Sequence, residues 1–406
     1  MRRWPWILLA VLVSAVAVVA WGVRRRADLE WERMSANTAR RLAEIEERSA
    51  LVPSDRARAE PGDAWEAYGR ALAAAEQLPD DLDEDLESFA DRRPDVDPRP
   101  IVARLREAAA ILDDLRLGAR RTGIVRTRDW SKGMSMGFPG LLGARRIAYL
   151  AACHARILDE EGRFRGAAEI LLDVLTLGDD LGRGGVLLEE LVGEAVGHIG
   201  ALGLRHLVSR LGAEELLETA RRIERLESTR PRIAQALWND FVAAGITIET
   251  EGNVGGSGTA GDVLASWRYG FSPRLAGAIG VNELHGLADR ARETDRASWI
   301  EARRIAEEIE REAESSPNWL VRMCFPGLMV ETERAYLARL RLIRLAAAWR
   351  ATGQVPAVED PFGDTLRSSV SAGTLRAWSV GADGADDGGA GDWTGGADLV
   401  LEVPGH

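Results

Sequence analysis

Residues 4–23 carry no charge, whereas from residue 24 onward apolar positions recur about once per helical turn between charged ones. At about 1.5 Å per helical residue, twenty uncharged residues span roughly the 30 Å hydrocarbon core of a bilayer. Trp4, Trp6 and Trp21 lie near the ends of the run, Arg2 and Arg3 precede it, and Arg24, Arg25 and Arg26 follow. Indole rings at those places suit a membrane interface. Ala15, Ala17 and Ala20 would also suit a signal peptidase, but the length of the run and the arginines after it favour a retained single-pass anchor.

Beyond the run, Met34, Thr38, Leu42 and Ile45 stand about one turn apart, which predicts an amphipathic helix over 29–48, a stalk leading away from the membrane. Asp63 offers an N-cap before Trp65, Tyr68 and Leu72 on one face. Residues 79–100 are acidic and proline-bearing and read as a connector with a short helix at 83–89. Ile101, Leu105, Ala109, Leu112 and Leu115 keep a helical rhythm that Gly133, Gly137, Pro139 and Gly140 end in a loop. Helices over 141–160 and 164–181 are separated by three residues, so they must turn back as an antiparallel hairpin. Further helices are expected over 186–211, 213–226, 231–249, 283–314 and 332–351. At the C-terminus 374–380 alternates like a strand, Gly381 to Gly384 makes a turn, an acidic glycine loop runs to Gly396, and 397–401 forms a last strand.

The fold class expected is mostly α: an N-terminal transmembrane helix, an irregular array of antiparallel helical hairpins and a small C-terminal β-hairpin-like tail. The boundaries are 1–26 for the anchor and 27–62 for the juxtamembrane helix and linker. The helical, repeat-like domain covers 63–357, with the connector at 79–100 and a Gly-rich loop at 252–261. The acidic tail is 358–406.

An apolar content of 46% over 406 residues is enough to build real cores. The net charge of −12 argues against a nucleic-acid partner, which would require a basic stripe. Lys132 is the only lysine. Cys153 and Cys324 are the only cysteines, so there is neither a disulfide framework nor a metal-ligand spacing, and a single bridge between them stays open.

Residues 256–261 match GxGxxG, but a dinucleotide site needs those glycines inside a βαβ unit, and no such pattern surrounds them; a loop between helices is the better reading. His198 and His206 fall in one helix about 12 Å apart, too far to grip one ion. His154, His285 and His406 have no metal-binding context either. Glu189, Glu190 and Glu194 share a helix face without the ExxH of di-iron helices and read as a solvated acidic surface. No nucleophile elbow is present, and no cysteine has an evident histidine partner. No catalytic residue is assigned, and an enzyme is not expected.

Two local resemblances add to this. The run Gly162, Arg163, Phe164, Arg165, Gly166, Ala167, continued by Leu171 and Val174, resembles the turn and second helix of a tetratricopeptide repeat over about 34 residues. The tail, through Asp360, Pro361, Phe362, Gly363, then Ser379, Val380, Gly381, Ala382, Asp383, Gly384, and finally Ala397 and Asp398, resembles the C-terminal part of type II secretion major pseudopilins. In that family the loop holds calcium, so the resemblance implies Asp383 and Asp398 as calcium ligands, with Asp386, Asp387 and Asp392 contributing by position. The pseudopilin peptidase glycine and its following glutamate are missing at the N-terminus, so the chain does not resemble a pilus subunit. An anchor, a helical middle and this ending together resemble membrane-anchored proteins of planctomycete-like bacteria.

The function expected is therefore a membrane-anchored helical scaffold or interaction protein of the bacterial cell envelope. It would sit in the inner membrane with its bulk outside the cytoplasm, a protein partner and a calcium-binding tail. The alternatives are an envelope hydrolase whose carboxylates, with raised pKa, meet in a helical cleft, and an accessory factor of a type II secretion-like system.

Overall fold

The computed structural model describes residues 4–49, 60–79, 82–93, 97–124, 126–230, 232–251, 273–318, 321–322, 330–393 and 398–405, with side chains from Leu12 onward. The Gly-rich loop at 252–261, with its GxGxxG run, and Cys324 lie outside the described residues. Most of the described chain is helical, and a small antiparallel sheet forms near the C-terminus.

Anchor and stalk are one helix, α1 (Trp4–Ser49). Its two halves differ in what surrounds them. Leu12, Val13, Val16, Val18, Val19 and Trp21 are all exposed and point in every direction around the helix, whereas Met34, Thr38, Arg41 and Ile45 are buried. The buried stripe packs on α10 (Ile233–Glu251) and α11 (Pro273–Ala291). Arg41 bonds the Asp289 carboxylate at 2.5 Å and lies over the Trp238 ring. The expected stalk is thus a component of the body, because its apolar stripe finds partners there. Among the described residues no helix is long and apolar enough to cross a membrane; of the uncharged run, they include side chains only from Leu12.

Asp63 caps α2 (Ala64–Glu76) as expected, accepting from Trp65 N at 2.9 Å. Before it, Glu60–Asp63 (β1) pairs in parallel with Arg121–Gly123 (β2), a pair too short to leave a pattern in sequence. α3 (Leu82–Ala90) falls where the connector was expected to hold a short helix. The rhythm from Ile101 to Leu115 is carried by two helices, α4 (Pro98–Glu107) and α5 (Ala109–Arg120), that meet at Ala108. Periodicity runs on through such a break because buried faces continue on both sides.

The central hairpin is α6 (Leu141–Glu160) and α7 (Phe164–Gly182). Gly162, with φ of +77°, lets Arg163 N reach Leu158 O and close α6. The most extensive helix packing is nevertheless that of α7 with α8 (Leu187–Leu207). Gly178 and Gly193 face each other there, and a β-carbon on either would lie 2.4 Å or less from the other's carbonyl oxygen. Bare backbone at both positions is what permits that approach.

After α9 (Ala213–Thr229) and α10, the expected long helix at 283–314 is instead α11, a 3-10 turn at Arg292–Asp295 and α12 (Trp299–Ser315), which Ser298 caps. α13 (Val330–Thr352) packs on α9 and α8 and carries the tail. The tail sheet is β3 (Arg367–Ser371), β4 (Thr374–Ser379) and β5 (Leu399–Pro404), antiparallel in that order. β3 was not expected, since every one of its residues is exposed and no alternation marks it. Leu375, Ala377, Leu401 and Val403 belong to the same continuous buried core as Leu345 and Trp349 of α13, so the tail shares the core of the helical body.

Candidate functional site

The three acids expected on a solvated face are buried instead, and they are held by arginines from distant parts of the chain. Glu189 receives Arg126 at 2.8 Å and Arg128 at 2.9 Å. Glu190 and Glu194 share Arg230, at 3.0 and 2.8 Å, and that guanidinium lies over the Tyr336 ring. Burial pushes Glu190 up to about 8 and Glu194 up to about 7, because one guanidinium cannot compensate the desolvation of two carboxylates with Glu333 also near. The Arg230 guanidinium is held in its charged form by the same two acids against burial. One face of α8 carries all of this, and the 3.6-residue spacing of acids that suggested an outer face fits an inner one equally well.

A cleft along α7 adjoins this cluster through Asp179, whose charge acts on Glu190 and Arg230. α5 and α9 both pack on α7 but scarcely on each other, so α7 forms a floor between two walls. The cavity is about 410 Å³ and is lined by six arginines and six carboxylates over a small apolar base of Ala119, Ala168, Leu172 and Leu226. This volume falls in the ~300–1,000 Å³ range of small-ligand sites. At the floor Asp173 accepts from Arg222 at 2.6 Å, and Asp179 from Arg183 at 2.7 Å. Burial raises the pKa of Asp173, and Arg222 opposes it. On the walls Arg165 pairs with Glu169 and Arg225 with Glu218. The lining contains no cysteine, histidine or serine.

Not every charge in the cleft is matched. Among the described residues, Arg120 at the end of α5 makes no hydrogen bond or ion pair, and neither do Glu214 and Glu215 in the first turn of α9. Arg183 Nε is buried without a hydrogen-bond partner. Sequence reading missed this site. Its trace was present in α7, where Asp173, Thr176 and Asp179 interrupt an otherwise apolar helix and, with Glu169, line up at helical spacing. No protein-family model, curated protein or solved structure matches the chain.

The histidines are dispersed. His198 lines a cavity of about 270 Å³ with Tyr149 and Arg156, whereas His206 lines another beside the tail, and burial lowers both to about 4. His285 is buried under α1, likewise lowered to about 4. Cys153 is buried, and its thiol donates to Leu86 O at 3.3 Å.

The five tail aspartates do not converge. Asp383 accepts from Ala385 N, and Asp386 accepts from Trp378 Nε1 and Gly388 N and pairs with Arg367. Asp392 is exposed, in an isolated bridge with Leu399. Asp398 is fully buried, with one carboxylate oxygen on Gly389 N at 2.7 Å and the other without a partner. Burial, helped by Asp387 and Asp386, raises its pKa. Among the described residues no group of three or more histidines, cysteines or carboxylates is placed to hold a metal. Calcium takes six to eight oxygens; Asp383, Asp386 and Asp398 spend oxygens on local hydrogen bonds, while Asp387 lies close enough to act on Asp398. The runs at 360–363 and 379–384 are tied by a latch: Asp360, buried, accepts from Phe362 N, from Ser379 Oγ at 2.6 Å and from Val380 N at 3.0 Å.

Proposed function

We propose that the chain is a non-enzymatic binding protein tethered to a membrane by the start of α1 and presenting the α5–α7–α9 cleft on a rigid helical body. The tether rests on one observation above all. A helix that is apolar and exposed all round has no place in water, and α1 from Leu12 to Trp21 is such a stretch, continuous with a later part locked into the core. Residues 4–11 extend the uncharged run at its N-terminal side. The cleft supports binding rather than reaction: its ion pairs are fixed, and it offers threonines but no stronger nucleophile and no imidazole.

Glu190, pushed up to about 8, and Glu194, Asp240 and Asp295, each pushed up to about 7, would speak for a hydrolase only if they faced a cavity. Glu190 and Glu194 sit under Tyr336, each at most 5% exposed, and none of the four lines the cleft. Flotation of the full chain with phospholipid vesicles tests the tether. The wild-type chain should rise with the vesicles, and a chain with Leu12, Val16 and Val19 each changed to arginine should stay in the dense fraction while keeping its helicity. A wild-type chain that remains in the dense fraction defeats the reading.

A further inference from the structure

From the charges left over in the cleft we infer that its ligand is a zwitterionic short peptide, with the carboxylate held at Arg120 and the ammonium at Glu214 and Glu215. The inference rests on the binding reading above and names the ligand class. The lining is charge-balanced as a whole, so neither a pure anion nor a pure cation is favoured by its net field. Internal pairs then consume Arg165, Arg183, Arg222 and Arg225, and Arg221 shares Glu218 with Arg225 at 3.8 Å. What remains is one cation on the α5 wall and two carboxylates on the α9 wall, across the α7 floor.

Each leftover has a different status. Glu214 and Glu215 favour the N-terminus of α9 through its dipole, which stabilises the helix without consuming the hydrogen-bonding capacity of either carboxylate. Arg120 favours the charged form of the buried Asp173 through space, without a hydrogen bond between them. Half-buried beside Asp173, it keeps five donors, and the buried Arg183 Nε is a further unsatisfied donor at the same cavity. A carboxylate is the acceptor whose geometry matches a guanidinium fork. The apolar base between the walls suits the small side chains of a peptide, and a ligand with charges of both signs at its two ends satisfies both walls at once.

The test is calorimetric titration of the full chain in detergent micelles with trialanine as probe, beside N-acetyl-trialanine, trialanine amide, succinate and putrescine. Trialanine should bind, and blocking either terminus should weaken it at least tenfold. Arg120→Ala should abolish the difference between the acid and the amide. A Glu214→Gln, Glu215→Gln double variant should abolish the difference between the free and acetylated amine. These side chains are wholly or partly exposed, so folding is retained, and circular dichroism checks it. Equal binding of blocked and free peptides overturns the inference. So does binding of succinate or putrescine without trialanine, which would leave the cleft a binding site for another class. If none of the probes binds, the ligand assignment falls, and flotation still decides the tether on its own.

Discussion

α7 and α8 carry two charged regions that are built from the same residue types and adjoin at Asp179, and the two behave in opposite ways. On the α8 side Glu189, Glu190 and Glu194 are sealed under Arg126, Arg128, Arg230 and Tyr336, with every acid held by an arginine. On the α7 side Asp173 and Asp179 are also paired with arginine, but the pairs line an open cavity that contains unmatched charge. Burial makes the first region architecture, tying α8 to the chain before α6, the end of α9 and α13; one oxygen each of Glu190 and Glu194 and the Arg230 Nε lack a hydrogen-bond partner there, but they do not line the cleft. Incomplete pairing next to space makes the second a surface for something else. A charge cluster therefore signals binding through what is left over, rather than through how many charges it holds.

The strongest way to break this contrast is to remove one arginine from each region. Arg230→Met leaves Glu190 and Glu194 buried without their guanidinium and should cost about 3–5 kcal/mol of unfolding free energy in urea denaturation. Arg222→Met, whose side chain is 22% exposed, should cost less, about 1–3 kcal/mol, because it strands one buried carboxylate, Asp173, rather than two. Equal losses would mean that the two regions are alike.

A smaller effect comes from the seam between α7 and α8. Gly178→Ala or Gly193→Ala places a methyl group against a backbone carbonyl, which no side-chain rotation relieves, and should cost about 1–3 kcal/mol. Gly166→Ala is the control. Its β-carbon would meet only Leu158 Cδ1 at 3.5 Å, an ordinary contact, so melting temperature should not fall.

The sealed region should also respond to pH. Glu190 and Glu194 retain protons in the folded state up to about 8 and about 7, against 4.5 when unfolded. Between those values the folded state binds more protons, so this contribution to stability is whole below about pH 4.5 and is lost as pH rises towards 8. The slope reaches at most about 1.4 kcal/mol per pH unit for each proton involved. Glu190→Gln should flatten the fall in urea midpoint between pH 5 and pH 8. An unchanged slope would show that the cluster does not titrate there.

Sequence alone disclosed the helices with strong stripes and short connections, such as α6 and α7, and the Asp63 cap, because those features are local. It did not disclose which side of α8 faces inward. Glu189, Glu190 and Glu194 look like a surface by charge, and only arginines at 126, 128 and 230, up to 63 residues away, make their burial tolerable. The break of the expected 283–314 helix at Arg292–Asp295 was likewise invisible, since charged and apolar positions keep their rhythm through the 3-10 turn. The cleft left a trace in the acids of α7, but its walls come from α5 and α9, and leftover charge can be counted only after the pairs are known. The tail aspartates show the converse: a dense acidic run suggested one ion site, whereas neighbouring amides, an indole and Arg367 take up much of it.

The smallest effect on stability should accompany the largest on binding. Among the described residues the Arg120 side chain makes no hydrogen bond or ion pair, so Arg120→Ala removes only its through-space support of the buried Asp173 and should cost no more than about 0.5 kcal/mol of unfolding free energy. In the sealed region no arginine can be removed so cheaply, because Arg126, Arg128 and Arg230 each hold a buried carboxylate. If Arg120→Ala instead destabilised the chain as Arg230→Met should, Arg120 would be holding Asp173 in place, the cleft would contain no spare cation, and the two regions would differ only in their access to water.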